Sequence, residues 1–146
     1  MKIAIGSDHA GYEEKEKIKK TLDELGIEYI DLGTNSLDSV DYPDFGKAVG
    51  IAVSSGAAEQ GIVFCGSGIG ISIAANKVKG IRAALAWNEE TASLARQHND
   101  ANVLAIGART TPKGTIPNIV KAWFKAKFEG GRHQRRVDEI LELEKS

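Results

Sequence analysis

Residues 61–77 read "GIVFCGSGIGISIAANK", and the fold turns on how this stretch is parsed. "GIVFC" (61–65) is a short apolar run that reads as a buried strand. Glycines at 66, 68 and 70 break the run, and "GISIAANKV" (70–78) continues as a helix. A strand, a glycine turn and a helix are the opening of a βαβ unit. The same unit recurs on both sides. Toward the amino end, strand "KIAIG" (2–6) precedes helix "EEKEKIKKTLDELG" (13–26), where Ile18, Leu22 and Leu25 keep helical spacing and Gly26 supplies the stop. Strand "EYIDLG" (28–33) then precedes helix "DFGKAVGIAVSSG" (44–56), which has small residues on its packing face. Toward the carboxyl end come strand "GIRAALAW" (80–87), helix "EETASLARQ" (89–97), strand "NVLAIG" (102–107) and helix "IPNIVKAWFKAKF" (116–128). A last amphipathic helix follows in "RRVDEILELEK" (135–145).

Strands alternating with helices predict right-handed crossovers and a mostly parallel sheet covered on both faces. The expected architecture is a three-layer, doubly wound α/β fold of Rossmann or flavodoxin-like type with an extra C-terminal helix. Its five parallel strands are expected in the order 2-1-3-4-5. A chain of 146 residues suits one such domain, 1–146, and shows no linker or low-complexity tract.

Composition narrows the function. A net charge of −1 creates no broad field to gather nucleic acid or an anionic membrane. A lone cysteine forms no intramolecular disulfide and no zinc pattern, so no metal is expected. The start, "MKIAIGSDHAGYEEKEK", turns charged too early for a secretory signal, and no apolar run nears the ~20 residues of a membrane span. The expected setting is the cytoplasm.

In a doubly wound sheet, ligands bind beyond the carboxyl ends of the strands where the strand order reverses, here between strands one and three. "SDHAG" follows strand one and "CGSGIG" ends strand three, so Asp8, His9, Cys65 and the glycine loop converge there. The loop fits neither the dinucleotide pattern, since residue 71 is Ile, nor a P-loop. It can still aim backbone N–H groups at an anion, or be a tight turn and nothing more. Cys65 reads either as an inert core thiol or as a group with thiolate character, favoured by the helix N-terminus and His9. Asp8 reads as a helix cap or a polar ligand, and His9 as a solvated or a binding imidazole. His98 and Asn99 in "RQHNDAN" (96–102) suit a helix C-terminus. In "GGRHQRR" (130–136), Arg132 and Arg136 are four apart and share a helical face, either as solvated charges or as a phosphate clamp that Arg109 could extend.

The blocks "GSDHAG" (6–11), "DYPDF" (41–45), "CGSGIGISIAANK" (65–77), "RQHNDANVLAIGAR" (96–109) and "FEGGRHQRRV" (128–137) resemble those of the type B ribose-5-phosphate isomerases. That family also takes in the bacterial galactose-6-phosphate and allose-6-phosphate isomerases, and the resemblance covers nearly the whole chain. It implies interconversion of ribose 5-phosphate and ribulose 5-phosphate through a cis-enediolate, with no metal or cofactor. In that reading Cys65 is the base. Members without the cysteine use a carboxylate a few residues along, but that region here is "GIGIS". The amides of Gly66, Ser67, Gly68, Ile69 and Gly70 would hold the enediolate oxygen. Ser67 stands where many members have threonine and would assist proton movement between the oxygens. His98 would open the furanose ring, and Asp8 and Asn99 would meet hydroxyls. His9, Arg109, Arg132 and Arg136 would hold the phosphate.

A physical consequence follows. The helix over 89–97 leaves the carboxyl end of strand four and, at 1.5 Å per residue, carries His98 roughly 14 Å away from the Cys65 edge. If both groups act on one sugar, a second subunit must supply His98 and Asn99. A two-fold homodimer with shared sites is therefore expected, with pairing into tetramers left open. Two other classes are compatible with parts of the pattern. A sugar-phosphate sensor would need the phosphate ligands but neither Cys65 nor His98. A redox protein would need an external thiol, because the chain has no resolving cysteine.

Overall fold

The computed structural model describes residues 1–145. Its strands are β1 (Lys2–Ser7), β2 (Glu28–Asp31), β3 (Gln60–Cys65), β4 (Ala83–Leu85) and β5 (Val103–Gly107), all paired in parallel. The helices are α1 (Tyr12–Glu24), α2 (Tyr42–Ser54), α3 (Ile69–Asn76), α4 (Glu89–Asn99), α5 (Ile116–Lys125) and α6 (Arg132–Glu142). A 3-10 turn over Leu143–Lys145 follows. The doubly wound α/β expectation holds, and α6 is the extra C-terminal helix.

The strand order is β2-β1-β3-β5-β4, which corrects the expected 2-1-3-4-5. Burial explains the exchange. All five residues of β5, "VLAIG", are buried, whereas the three of β4 are only half-buried. A strand wholly enclosed by apolar neighbours belongs inside the sheet, and a three-residue strand preceded by Arg82 makes a short, blunted edge. The expected strand over 80–87 is pared to Ala83–Leu85 for the same reason. Helix boundaries also move by up to three residues; α5, for instance, stops at Lys125 rather than 128, and α6 starts at Arg132 rather than 135.

Right-handed crossovers then sort the helices. The steps β1 to β2 and β4 to β5 run one way along the sheet, and β2 to β3 and β3 to β4 run the other. Accordingly Ile18, Leu22, Ala92, Ala95, Ile119 and Trp123 of α1, α4 and α5 form one apolar layer. Val49, Val53, Ile71 and Ala75 of α2 and α3 form the layer on the opposite face. The second layer is thin because α2 carries glycines: a Cβ on Gly46 would lie 2.9 Å from the Ile71 carbonyl oxygen. Buried Trp123 donates its indole N–H to Gln60 Oε1 at 2.9 Å, which ties α5 to the start of β3.

A polar clamp holds α1 to the end of β2. Lys15 is fully buried and donates to Asp31 Oδ2 at 2.6 Å and to Glu16 Oε2 at 2.9 Å. Lys19 reaches the same two oxygens at 2.7 Å each. Burial pushes the Asp31 carboxyl up, but hydrogen bonds from Lys15, Lys19 and the Gly33 N–H outweigh it, and the group ends below its ordinary value. Asp31 also leads into the loop that carries Val40 to His9.

Candidate active site

Three chain segments meet at the carboxyl ends of β1, β3 and β5. After β1, the Asp8 N–H donates to the Phe64 carbonyl at 3.3 Å, so Asp8 sits beside the last residues of β3. The residue is 6% exposed, and its carboxylate accepts from the Gly11 N–H at 3.1 Å. Asp8 thus braces the turn into α1, whose cap residue is Gly11 itself. That turn presses on β3 so closely that a Cβ on Gly11 would lie 2.5 Å from Phe64 Cβ. His9 Nδ1 accepts from the Val40 N–H at 3.1 Å.

Cys65 closes β3 and is 4% exposed. Its Sγ accepts from the Gly68 N–H at 3.2 Å. Gly68 has φ +75° and opens the eight-residue α3. A side chain there would be strained and would also lie 2.6 Å from Leu85 Cδ1. Ser67 Oγ accepts from the Ile69 N–H at 3.2 Å, and so belongs to the same amide cluster. The loop that ends the strand thereby turns one backbone donor onto its own thiol and another onto the Ser67 hydroxyl.

The corrected strand order matters most at this point. Because β5 neighbours β3, the Ala108 N–H donates to the Cys65 carbonyl at 2.8 Å and the Arg109 N–H to the Gly66 carbonyl at 2.9 Å. A Cβ on Gly66 would lie 3.6 Å from the Arg109 guanidinium, so the cation stands beside the glycine loop. In the order 2-1-3-4-5 a whole strand would have separated them. Arg109 and His9 line a common cleft of about 450 Å³ with Lys113, a cation that sequence reasoning did not single out. Tyr42 was also missed, although "DYPDF" marked its position. Its ring covers Gly70 so closely that a Cβ there would lie 2.5 Å from the phenol Cζ.

The remaining expected residues lie at the other edge of the sheet. His98 and Asn99 end α4, and the Asn99 and Asp100 carbonyls accept from the side chain of Arg82, just ahead of β4. The Asn102 carbonyl accepts from the N–H of Gly61, near the start of β3. From Gly61 to Cys65 is four strand residues, about 13 Å. Within one chain, then, Asp8, His9, Cys65, the 66–70 loop and Arg109 converge, and His98 and Asn99 do not join them.

Arg132 and Arg136 accompany His98. The Glu129 N–H donates to the Gln97 carbonyl at 3.0 Å, which fastens the start of α6 to the end of α4. In the first turn of α6, His133 stacks on His98 with ring centroids 4.1 Å apart and planes within 7°. Burial, then repulsion from His98 and Arg132, holds the His133 imidazole below its ordinary pKa, against the pull of Glu129. Arg132 and Arg136 are exposed, and neither pairs with a carboxylate among the described residues.

A buried thiol beneath backbone donors, beside an acid and a cationic cleft on a doubly wound sheet, defines an enzyme that handles anionic, oxygen-rich small molecules. The chain belongs to the ribose/galactose isomerase family, whose model matches residues 3–140. It is 49% identical over 143 residues to the ribose-5-phosphate isomerase B of Escherichia coli, covering 98% of this chain and 96% of that one. The structure of Clostridium thermocellum ribose-5-phosphate isomerase B superposes with a TM-score of 0.97 at 55% identity, covering 99% of this chain and 98% of the other. The Mycoplasma genitalium ribose-5-phosphate isomerase B, solved with bound ribulose-5-phosphate, superposes with a TM-score of 0.95 at 46% identity, covering 99% of this chain and 97% of the other. Among the described residues, no helix is long and apolar enough to cross a membrane.

Proposed function

We propose that the protein interconverts D-ribose 5-phosphate and D-ribulose 5-phosphate, with allose 6-phosphate as a second substrate of the same crevice. The observation that carries this reading is Cys65 Sγ, held at the strand end by the Gly68 N–H at 3.2 Å. From the open-chain aldose, the Cys65 thiolate takes the C2 proton, and the electron pair moves through C2–C1 onto the carbonyl oxygen. The resulting cis-enediolate carries its negative charge against the amides of Gly66 to Gly70, a preorganised oxyanion cradle. Ser67 Oγ relays a proton from O2 to O1, and the thiol returns its own proton to C1. Substrate and product are isomers, so the cycle consumes no co-reactant. Asp8 meets the sugar hydroxyls, and His9 and Arg109 meet the phosphate.

The second half of the site comes from a partner chain in a homodimer. His98 opens the furanose ring, Asn99 binds a hydroxyl, and Arg132 with Arg136 completes the phosphate clamp. The fastening of α6 to α4 supports delivery of all four by the same subunit. An unpartnered apolar face supports the dimer: Ile69 and Ile73 on α3 are 52% and 55% exposed, and Trp87 is 59% exposed. These side chains lie at or near the Cys65 loop, where a second copy would have to dock.

The test is isotope exchange. Cys65→Ala should lose exchange of the substrate C2 proton with solvent by about 10³-fold or more while still binding sugar phosphate. Normal exchange in the variant would end the assignment of the base.

A further inference from the structure

At the junction of α4 and α6, three ligand-type side chains face one another away from Cys65. One ligand atom each from His98, Glu129 and His133 lies within 4.8 Å of the other two. His98 Nε2 is 3.7 Å from Glu129 Oε1, and His133 Nε2 is 3.5 Å from the same oxygen. Both distances are long for hydrogen bonds, which fall at about 2.7–3.2 Å. They are close to the ~3.4 Å that two ligands keep on a tetrahedral ion at about 2.1 Å from each. His133 adds a separate sign. Its side chain is 8% exposed, and its buried Nε2 has no hydrogen-bond partner although it is aimed at the cluster. A buried polar atom left without a partner is costly and calls for an explanation.

We infer that His98, Glu129 and His133 bind a divalent transition ion of Zn²⁺ type, and that the bound ion withdraws His98 from the sugar. Two imidazoles and one carboxylate suit a borderline ion and leave a fourth position for water. The backbone fixes two of the three ligands. Glu129 is anchored through its N–H on Gln97, and His133 through its N–H on the Gly130 carbonyl at 3.0 Å. His98, 39% exposed at its side chain, supplies the freedom to tilt out of the stack and converge on the ion. The ion is no part of the isomerisation chemistry. It occupies the imidazole nitrogen that ring opening needs, so it acts as a brake. The inhibitory effect rests on the role proposed for His98; the binding does not.

Both parts can be tested on the intact protein after chelator treatment, with Zn²⁺ as the probe. Calorimetry should give one Zn²⁺ per chain. His133→Phe keeps the ring stack and removes the ligand nitrogen; Glu129→Gln alters a half-exposed side chain and leaves the core alone. Each should weaken binding by about tenfold or more, with unchanged circular dichroism. Cys65→Ser should bind Zn²⁺ as the wild type does. Turnover of ribose 5-phosphate by the wild type should fall over the same Zn²⁺ range and recover with chelator. That inhibition should move to higher Zn²⁺ in His133→Phe. Binding that is absent, or unchanged in both ligand variants, or lost in Cys65→Ser, overturns the site. Binding that follows the ligand variants while wild-type turnover stays constant at saturating Zn²⁺ supports the site and overturns the role of His98.

Discussion

The two ends of the sheet are built in different ways. At the carboxyl end, backbone bonds knit three strands to one loop: Asp8 to Phe64, Ala108 to Cys65, Arg109 to Gly66 and Gly68 to Cys65 Sγ. Cys65 and Asp8 are almost fully buried there. At the other end, Asn99, Arg132 and Arg136 are exposed, and His98 is propped on His133 rather than enclosed. The first region is a finished cluster that one chain assembles. In the second, His98 and Asn99 end α4 and stay away from the Cys65 loop of the same chain. Chemistry that needs both must join them between molecules.

The strongest way to break this comparison is to mix inactive chains. Cys65→Ala and His98→Asn should each be nearly inactive alone. After unfolding and refolding together, mixed dimers should hold one native site and one doubly defective site, and recover about one quarter of wild-type activity. No recovery would mean that Cys65 and His98 act within one chain or on different substrates.

A smaller effect separates the cations. Arg109→Ala and Arg132→Ala should each raise KM about 10- to 100-fold with a lesser change in kcat, because holding the phosphate contributes mostly uniform binding. Mixing each with Cys65→Ala then assigns the subunit. Arg132→Ala should restore a native site in the mixture, and Arg109→Ala should not.

The smallest effect concerns stability at the finished end. Asp31→Asn leaves the buried Lys15 ammonium with only Glu16 and should cost about 3 kcal/mol in denaturant unfolding. The folded Asp31 carboxyl lies below its ordinary value of 3.8, so the clamp is at full strength above that value. Its contribution is lost as pH falls through the folded value, where the native state must also take up the proton. Unfolding midpoints should therefore drop below pH 4 in the wild type, and drop less in Asp31→Asn. An equal drop in both would place the acid sensitivity elsewhere.

Much of the finished end was legible in the chain. Period and glycine punctuation located each strand and helix, and the rule for doubly wound sheets put "SDHAG" against "CGSGIG". Burial could also have been read: "NVLAIG" carries no charge, whereas "GIRAALAW" contains Arg82, which argues that strand five is the inner one. Tyr42 and Lys113 were harder to see, because neither sits at a strand end where topology points.

The sequence by itself determined the elements, their direction and the position of the thiol, since all of these follow from local periodicity and turn chemistry. Only the tertiary structure decided that β5 lies against β3 and brings Arg109 to the glycine loop. It alone seated His133 on His98, with Glu129 across from both. Those contacts join residues far apart in the chain, and they depend on which strand is enclosed and how two helix ends are fastened. Neither property has a local signature.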